Sequence, residues 1–230
     1  MQKLFVANYK MNGNINFYKN VSKQVNKLKS SDTIVLCPPF VYMPFLKIKN
    51  KSVKIGAQDI ACFSNTKSTG QISAEMLKEF NAVYSIVGHS ERRQIGETED
   101  IIADKVKICV ENNLCPIICI GEKTKTAKLD ILVNQVKSAL SKVKTANIVF
   151  AYEPVWAIGT GVQPTAKQIN KAISIIKQTA NASGFNVCVL YGGSVNLKNY
   201  KEILSSNVDG LLMGGVSLKV DEFIKIVKGE

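Results

Sequence analysis

The strongest constraint on this chain is a rhythm. Eight short runs of apolar and β-branched residues recur at intervals of roughly 20–40 residues with helical patterns between them, the alternation of repeated βα units over a parallel sheet. The runs fall at 4–9, 33–37, 53–57, 83–87, 116–120, 148–152, 187–191 and 208–213. Ile34-Val35-Leu36 and Ile117-Ile118-Cys119-Ile120 lack polar alternation, as strands covered on both faces should. Helices are predicted over 16–29, 99–111, 128–142 and 165–180, with their lysines on the solvent stripe. Eight uninterrupted units suit a closed (β/α)8 barrel better than a doubly wound sheet. With 230 residues, 46% of them hydrophobic, and no Pro/Gly/Ser-rich linker, residues 1–230 are expected to form one domain.

The net charge is +12, yet only Arg92 and Arg93 among the 30 basic residues are arginines. Lysine is the poorer choice for forking onto phosphates or bases, and no basic run is interleaved with aromatics. A nucleic-acid or anionic-surface binder is therefore the weaker alternative, and neither nucleic acid nor membrane is an expected partner. The charge would instead help steer an anionic substrate, an effect that salt weakens. Cys37, Cys62, Cys109, Cys115, Cys119 and Cys188 contain no C-x-x-C pair, and His89 is the only histidine, so reduced thiols and no metal are expected. Residues 1–13 carry neither an apolar h-region nor a cleavage site, and no apolar run reaches about 18 residues. A soluble, cytoplasmic protein is expected.

In such a barrel the chemistry gathers at the carboxyl ends of the strands. There stand Asn8-Tyr9-Lys10, Gly88-His89-Ser90-Glu91, Glu153-Pro154, Gly192-Gly193-Ser194 and Gly214-Gly215. The set holds one carboxylate to take a proton, an imidazole and an ammonium to steady an oxyanion, and glycine-lined N–H groups for an anion. Two readings of the glycine pairs stay open: tight turns that need positive φ, or a phosphate cradle after the last two strands. Glu153 ends a buried strand, so it either pairs with a lysine or works as a base. Walker A, G-x-G-x-x-G and G-x-S-x-G patterns are missing, which weakens nucleotide binding and a serine nucleophile.

Six segments are distinctive: Asn8-Tyr9-Lys10-Met11-Asn12-Gly13, Val87-Gly88-His89-Ser90-Glu91-Arg92-Arg93, Cys119-Ile120-Gly121-Glu122, Ala151-Tyr152-Glu153-Pro154-Val155-Trp156-Ala157-Ile158-Gly159-Thr160-Gly161, Tyr191-Gly192-Gly193-Ser194-Val195 and Leu212-Met213-Gly214-Gly215. In order and spacing they resemble the signature segments of the triosephosphate isomerase family across essentially the whole chain. The resemblance implies cofactor-free interconversion of dihydroxyacetone phosphate and D-glyceraldehyde 3-phosphate in glycolysis and gluconeogenesis. It makes Glu153 the base, His89 the neutral group that polarises the carbonyl, Lys10 a positive charge beside the enediolate, and Asn8 a further donor. Glu91 becomes a partner of Lys10, and Cys119 a packed thiol supporting Glu153. Gly159, Gly193, Ser194, Gly214 and Gly215 become the phosphate cradle, with residues 154–161, including Trp156, as a lid. Shutting a carboxylate away from water also makes it a stronger base. A different phosphate-binding barrel remains the rival among enzymes.

Departures from that resemblance are also readable. Tyr9 stands where the family has Trp, and Gln71 replaces a glutamate in the segment around Thr69, expected to insert into a second subunit of a homodimer. Arg92 thereby loses an expected partner. Pro164 stands where a backbone N–H would receive the Tyr191 hydroxyl over a closed lid, and proline has none. Closure is then expected to rely on Ser194.

Overall fold

A computed structural model of the chain describes residues 2–64, 67–127, 129–158 and 162–230. Its eight strands are β1 (Leu4–Asn8), β2 (Thr33–Cys37), β3 (Val53–Ala57), β4 (Ala82–Val87), β5 (Cys115–Ile120), β6 (Val149–Tyr152), β7 (Cys188–Gly192) and β8 (Gly210–Met213). All pair in parallel in chain order, and β8 returns onto β1, closing a barrel. The expected runs coincide with these strands to within two residues at either end.

The helices are α1 (Ile15–Val25), α2 (Ala74–Glu79), α3 (Ser90–Gln94), α4 (Glu99–Glu111), α5 (Asp130–Leu140), α6 (Ala166–Ala182), α7 (Tyr200–Leu204) and α8 (Val220–Lys228). Side chains set several boundaries. Asn14 caps α1 by accepting the Phe17 N–H, and α1 stops short of residue 29 because Asn26 turns away to bond Lys47, Lys49 and Asn50. Thr165 and Gln168 form a capping box at α6. After β2 the connection is a 3-10 helix, Phe40–Phe45, with Pro39 before it and Pro44 inside, which denies an α-helix its N–H donors. The predicted start of α5 at Lys128 lies outside the described residues.

Two apolar layers result. Val6, Val35, Ile86, Ile117 and Leu190 fill the barrel interior, while the outward strand residues meet the helices in a larger shell. Both faces of the strands are buried, which is why their sequences read as unbroken apolar runs. All six cysteines are free. Burial pushes the thiols of Cys115 and Cys188 up to about 12, and those of Cys37 and Cys109 higher still.

One expectation fails. Lys105 of α4 is not on the solvent stripe: it is 3% exposed and held between the carboxylates of Asp59 and Glu97. Arg92 reaches the same two acids, at 3.0 and 2.9 Å, so the missing acid at position 71 leaves it with partners inside its own chain. Burial raises the pKa of the Asp59 carboxyl, against the pull of Lys105 and Arg92. Removing one member of a buried charge cluster strands the others, typically at about 3–5 kcal/mol. Lys105→Ala should lose stability of that order in urea titrations, although the residue is a helix lysine in a chain rich in them.

Candidate functional site

The carboxyl ends of the strands surround a cavity of about 290 Å³. Asn8 and Lys10 from β1, His89 from β4 and Glu153 from β6 line one side, and Gly193, Ser194, Gly214 and Gly215 the other. Eight of the residues predicted from sequence thus share one cavity. Cys119, Glu91, Trp156 and Tyr191 stand behind or beside it, and Gly159 lies outside the described residues.

Glu153 is 4% exposed. Its Oε1 lies 3.3 Å from His89 Nε2, its Oε2 accepts the Ser90 N–H at 3.4 Å, and among the described residues no lysine or arginine is within ion-pair distance. The alternative of a buried ion pair with a lysine is therefore not realised. Its backbone is seated as firmly: the Glu153 N–H donates to Ile120 at 2.7 Å, and a Cβ at Gly121 would stand 1.7 Å from the Glu153 carbonyl oxygen. Only glycine allows that approach. The neighbouring Cys119 thiol is held well above its ordinary pKa by burial, then by the Glu153 carboxylate.

His89 caps α3, and its Nδ1 accepts the Glu91 N–H at 3.2 Å. A nitrogen that accepts carries no proton, so the neutral ring carries it on Nε2, facing Glu153. Lys10 sits at φ 50°, in the left-handed region uncommon for a side-chain-bearing residue. Asn8 Oδ1 takes the Lys10 N–H at 3.0 Å and Gln58 donates to the Lys10 carbonyl at 2.9 Å, so the conformation is braced on both sides. Lys10 Nζ meets Glu91 at 2.6 Å, the partner expected of it. Asn8 keeps its amide NH2 as a donor.

None of the four glycines takes a positive φ, and the pair after β7 is explained by space. A Cβ at Gly192 would press on Glu153 Cγ at 2.9 Å, one at Gly193 on the Tyr191 hydroxyl at 2.5 Å, and Gly215 faces open space. The Tyr191 hydroxyl is buried and finds no hydrogen-bond partner among the described residues; burial pushes its pKa up to about 12. Ser194 Oγ reaches the Ala157 carbonyl at 3.4 Å.

Two residues quoted in the motifs had been given no role. Glu122 is 4% exposed and accepts from both Tyr152 Oη and Trp156 Nε1 at 2.9 Å, anchoring the segment after β6, while Lys125 lies 5.7 Å from the Trp156 ring. Arg93 joins the ends of β4 and β5. The available signal was the choice of arginine where lysine is the rule.

The family model described as triosephosphate isomerase matches residues 3–230. Triosephosphate isomerase of Dehalococcoides mccartyi is 38% identical, the alignment covering 99% of this chain and 96% of that one. Those of Dictyoglomus turgidum and Yarrowia lipolytica are each 39% identical, covering 99% and 96% of this chain and 99% and 95% of theirs.

The two tyrosines at the site should respond oppositely to loss of their hydroxyls. Tyr152→Phe removes a donor from a buried carboxylate and should cost about 1.5–3 kcal/mol in thermal or urea unfolding. Tyr191→Phe deletes an unpartnered polar group and should leave stability unchanged or raise it.

Proposed function

Because the chain belongs to the triosephosphate isomerase family, it interconverts dihydroxyacetone phosphate and D-glyceraldehyde 3-phosphate in glycolysis, and we propose that Glu153, His89, Lys10 and Asn8 carry that reaction. The observation that carries the assignment is a buried carboxylate whose nearest partner is an imidazole with its proton on Nε2. A bound substrate carbonyl takes that Nε2–H, which frees Glu153 to remove a proton from the adjacent carbon. The electron pair moves onto the oxygen, and the enediolate is met by Nε2–H, the Lys10 ammonium and the Asn8 amide. Glu153, now a carboxylic acid, returns the proton to the neighbouring carbon, and His89 moves protons between the two oxygens. No cofactor is consumed.

The phosphate is assigned to the N–H groups and hydroxyl around Gly193, Ser194, Gly214 and Gly215, with Gly159 a further donor. The segment opening at Pro154 is the lid, and its Trp156–Glu122 anchor supports that role. Exclusion of water then strengthens every charge interaction within the cavity and protects the enediolate. The unpartnered Tyr191 hydroxyl and the Ser194 contact to Ala157 support a closure that depends on Ser194.

Residues 1–230 form one domain in this reading, which works in the cytoplasm, where six unpaired thiols suit the reducing conditions. The working form is a homodimer. Met11, Val41 and Ile95 are 95%, 71% and 72% exposed on the connections after β1, β2 and β4, neighbours in barrel order of the connection after β3 that carries the exposed Thr69-Gly70-Gln71 segment. Large apolar side chains grouped this way support a protein contact.

Incubation with dihydroxyacetone phosphate in heavy water, followed by proton NMR, should yield aldehyde product and carbon-bound deuterium. Glu153→Gln should cut both at least the roughly 10²–10⁴-fold of lost general-base catalysis, His89→Gln a similar order, and Lys10→Ala should raise KM as well. Ser194→Ala should slow turnover more than Tyr191→Phe. Retention of wild-type activity in the first three variants overturns the assignment. Sedimentation should show a dimer that Met11→Asp with Ile95→Asp dissociates.

A further inference from the structure

Arg93 makes more directed contacts at the end of β4 than any charge balance requires. Its side chain is 15% exposed. Nε donates to the Gly88 carbonyl at 2.7 Å, Nη2 to the Cys119 carbonyl at 3.0 Å, and Nη1 to the Glu99 carboxylate at 2.5 Å. Its backbone N–H donates to the His89 carbonyl at 3.1 Å. The carbonyls on either side of the His89 Cα are therefore both contacted by Arg93, and the Arg92 N–H also donates to the second, at 2.8 Å. The Gly88 carbonyl orients the peptide plane before His89 and the His89 carbonyl the plane after it, so the two contacts together set φ −52° and ψ 145°. With the backbone held, the Glu91 N–H stands where Nδ1 can accept it, and the ring is aimed.

The third contact extends this control across strands. The last register pair of β4 with β5 is Val87 with Ile118, and the Cys119 carbonyl lies one step past it. Arg93 continues the ladder there with a side chain. Cys119 is also the residue whose thiol lies against Glu153. We propose that Arg93 is a positioning residue that fixes the aim and tautomer of the His89 ring relative to Glu153. The proposal rests on the reading of His89 as the group that polarises the substrate carbonyl. A lysine could supply the charge to Glu99, but its three donors sit on one nitrogen and cannot span acceptors that the guanidinium reaches from three separate nitrogens. That requirement explains an arginine in a chain where all but two of 30 basic residues are lysine.

His89 is the only imidazole, so its ring 15N resonances are unambiguous. In the folded Arg93→Lys protein they should move toward those of freely exchanging tautomers. Its kcat should fall about tenfold or more while KM stays within about twofold, the pattern of an interaction realised only in the transition state. Glu99→Gln, which keeps both carbonyl contacts, should lower Tm and leave the resonances and kcat as in wild type. If Arg93→Lys does not fold, Arg93→Gln, with one amide donor remaining, is read the same way. The proposal is overturned if the folded Arg93 variant keeps wild-type resonances and kcat, or if Glu99→Gln perturbs both as strongly. Full turnover in His89→Gln would remove the underlying reading, while the 15N comparison would still report on Arg93's hold over the ring.

Discussion

Everything at the rim depends on the ladder that joins the last strand to the first. Leu4 to Ala7 of β1 run beside Gly210 to Met213 of β8, and that closure brings residues some 200 positions apart in sequence to face one another. The Lys10 side chain consequently lies over Gly214, where a Cβ would be only 3.4 Å from its Cε. A cation from the start of the chain and backbone from its end become walls of one cavity. Gly210 makes the closure possible, because a Cβ there would fall 1.8 Å from the Leu4 carbonyl oxygen.

Much of this architecture was legible because a parallel barrel writes itself plainly into sequence. Strands buried on both faces become apolar runs, and the predicted helix 99–111 coincides with α4, which Thr98 caps and Asn112 ends. The site was legible for a related reason: charged or polar residues such as Glu153 and His89 appear immediately after apolar runs, where burial of such groups demands a purpose. Glycine pairs after β7 and β8 pointed to one wall of the cavity: the first pair leaves room for Glu153 and Tyr191, while the second is uncrowded and Gly214 holds φ −96° and ψ −94°.

The remainder was hidden because it depends on pairings between distant segments. Lys105 looks like any other helix lysine until Asp59 and Glu97 are brought around it. Arg92 seemed short of a partner while only position 71 was considered, and Asp59 is contributed by the loop after β3. Glu122 stands in a recognisable motif, but its work becomes visible only when β5 and β6 set it against Tyr152 and Trp156. Local pattern reports what a residue is and which way it faces; it is silent on what lies opposite.

The contact between Gly121 and Glu153 has a consequence for how such a protein can change over generations. The Glu153 main chain rests on the backbone at Gly121, just past the end of the neighbouring strand. Substitution can reshape the far wall of the cavity, recolour the surface or redraw the loops, since those are built of replaceable side chains. That seat instead tolerates no side chain at position 121, where even a Cβ would have to displace the Glu153 backbone. Descendants of this barrel are free to vary the rest of the cavity far more readily than the place where this carboxylate is held.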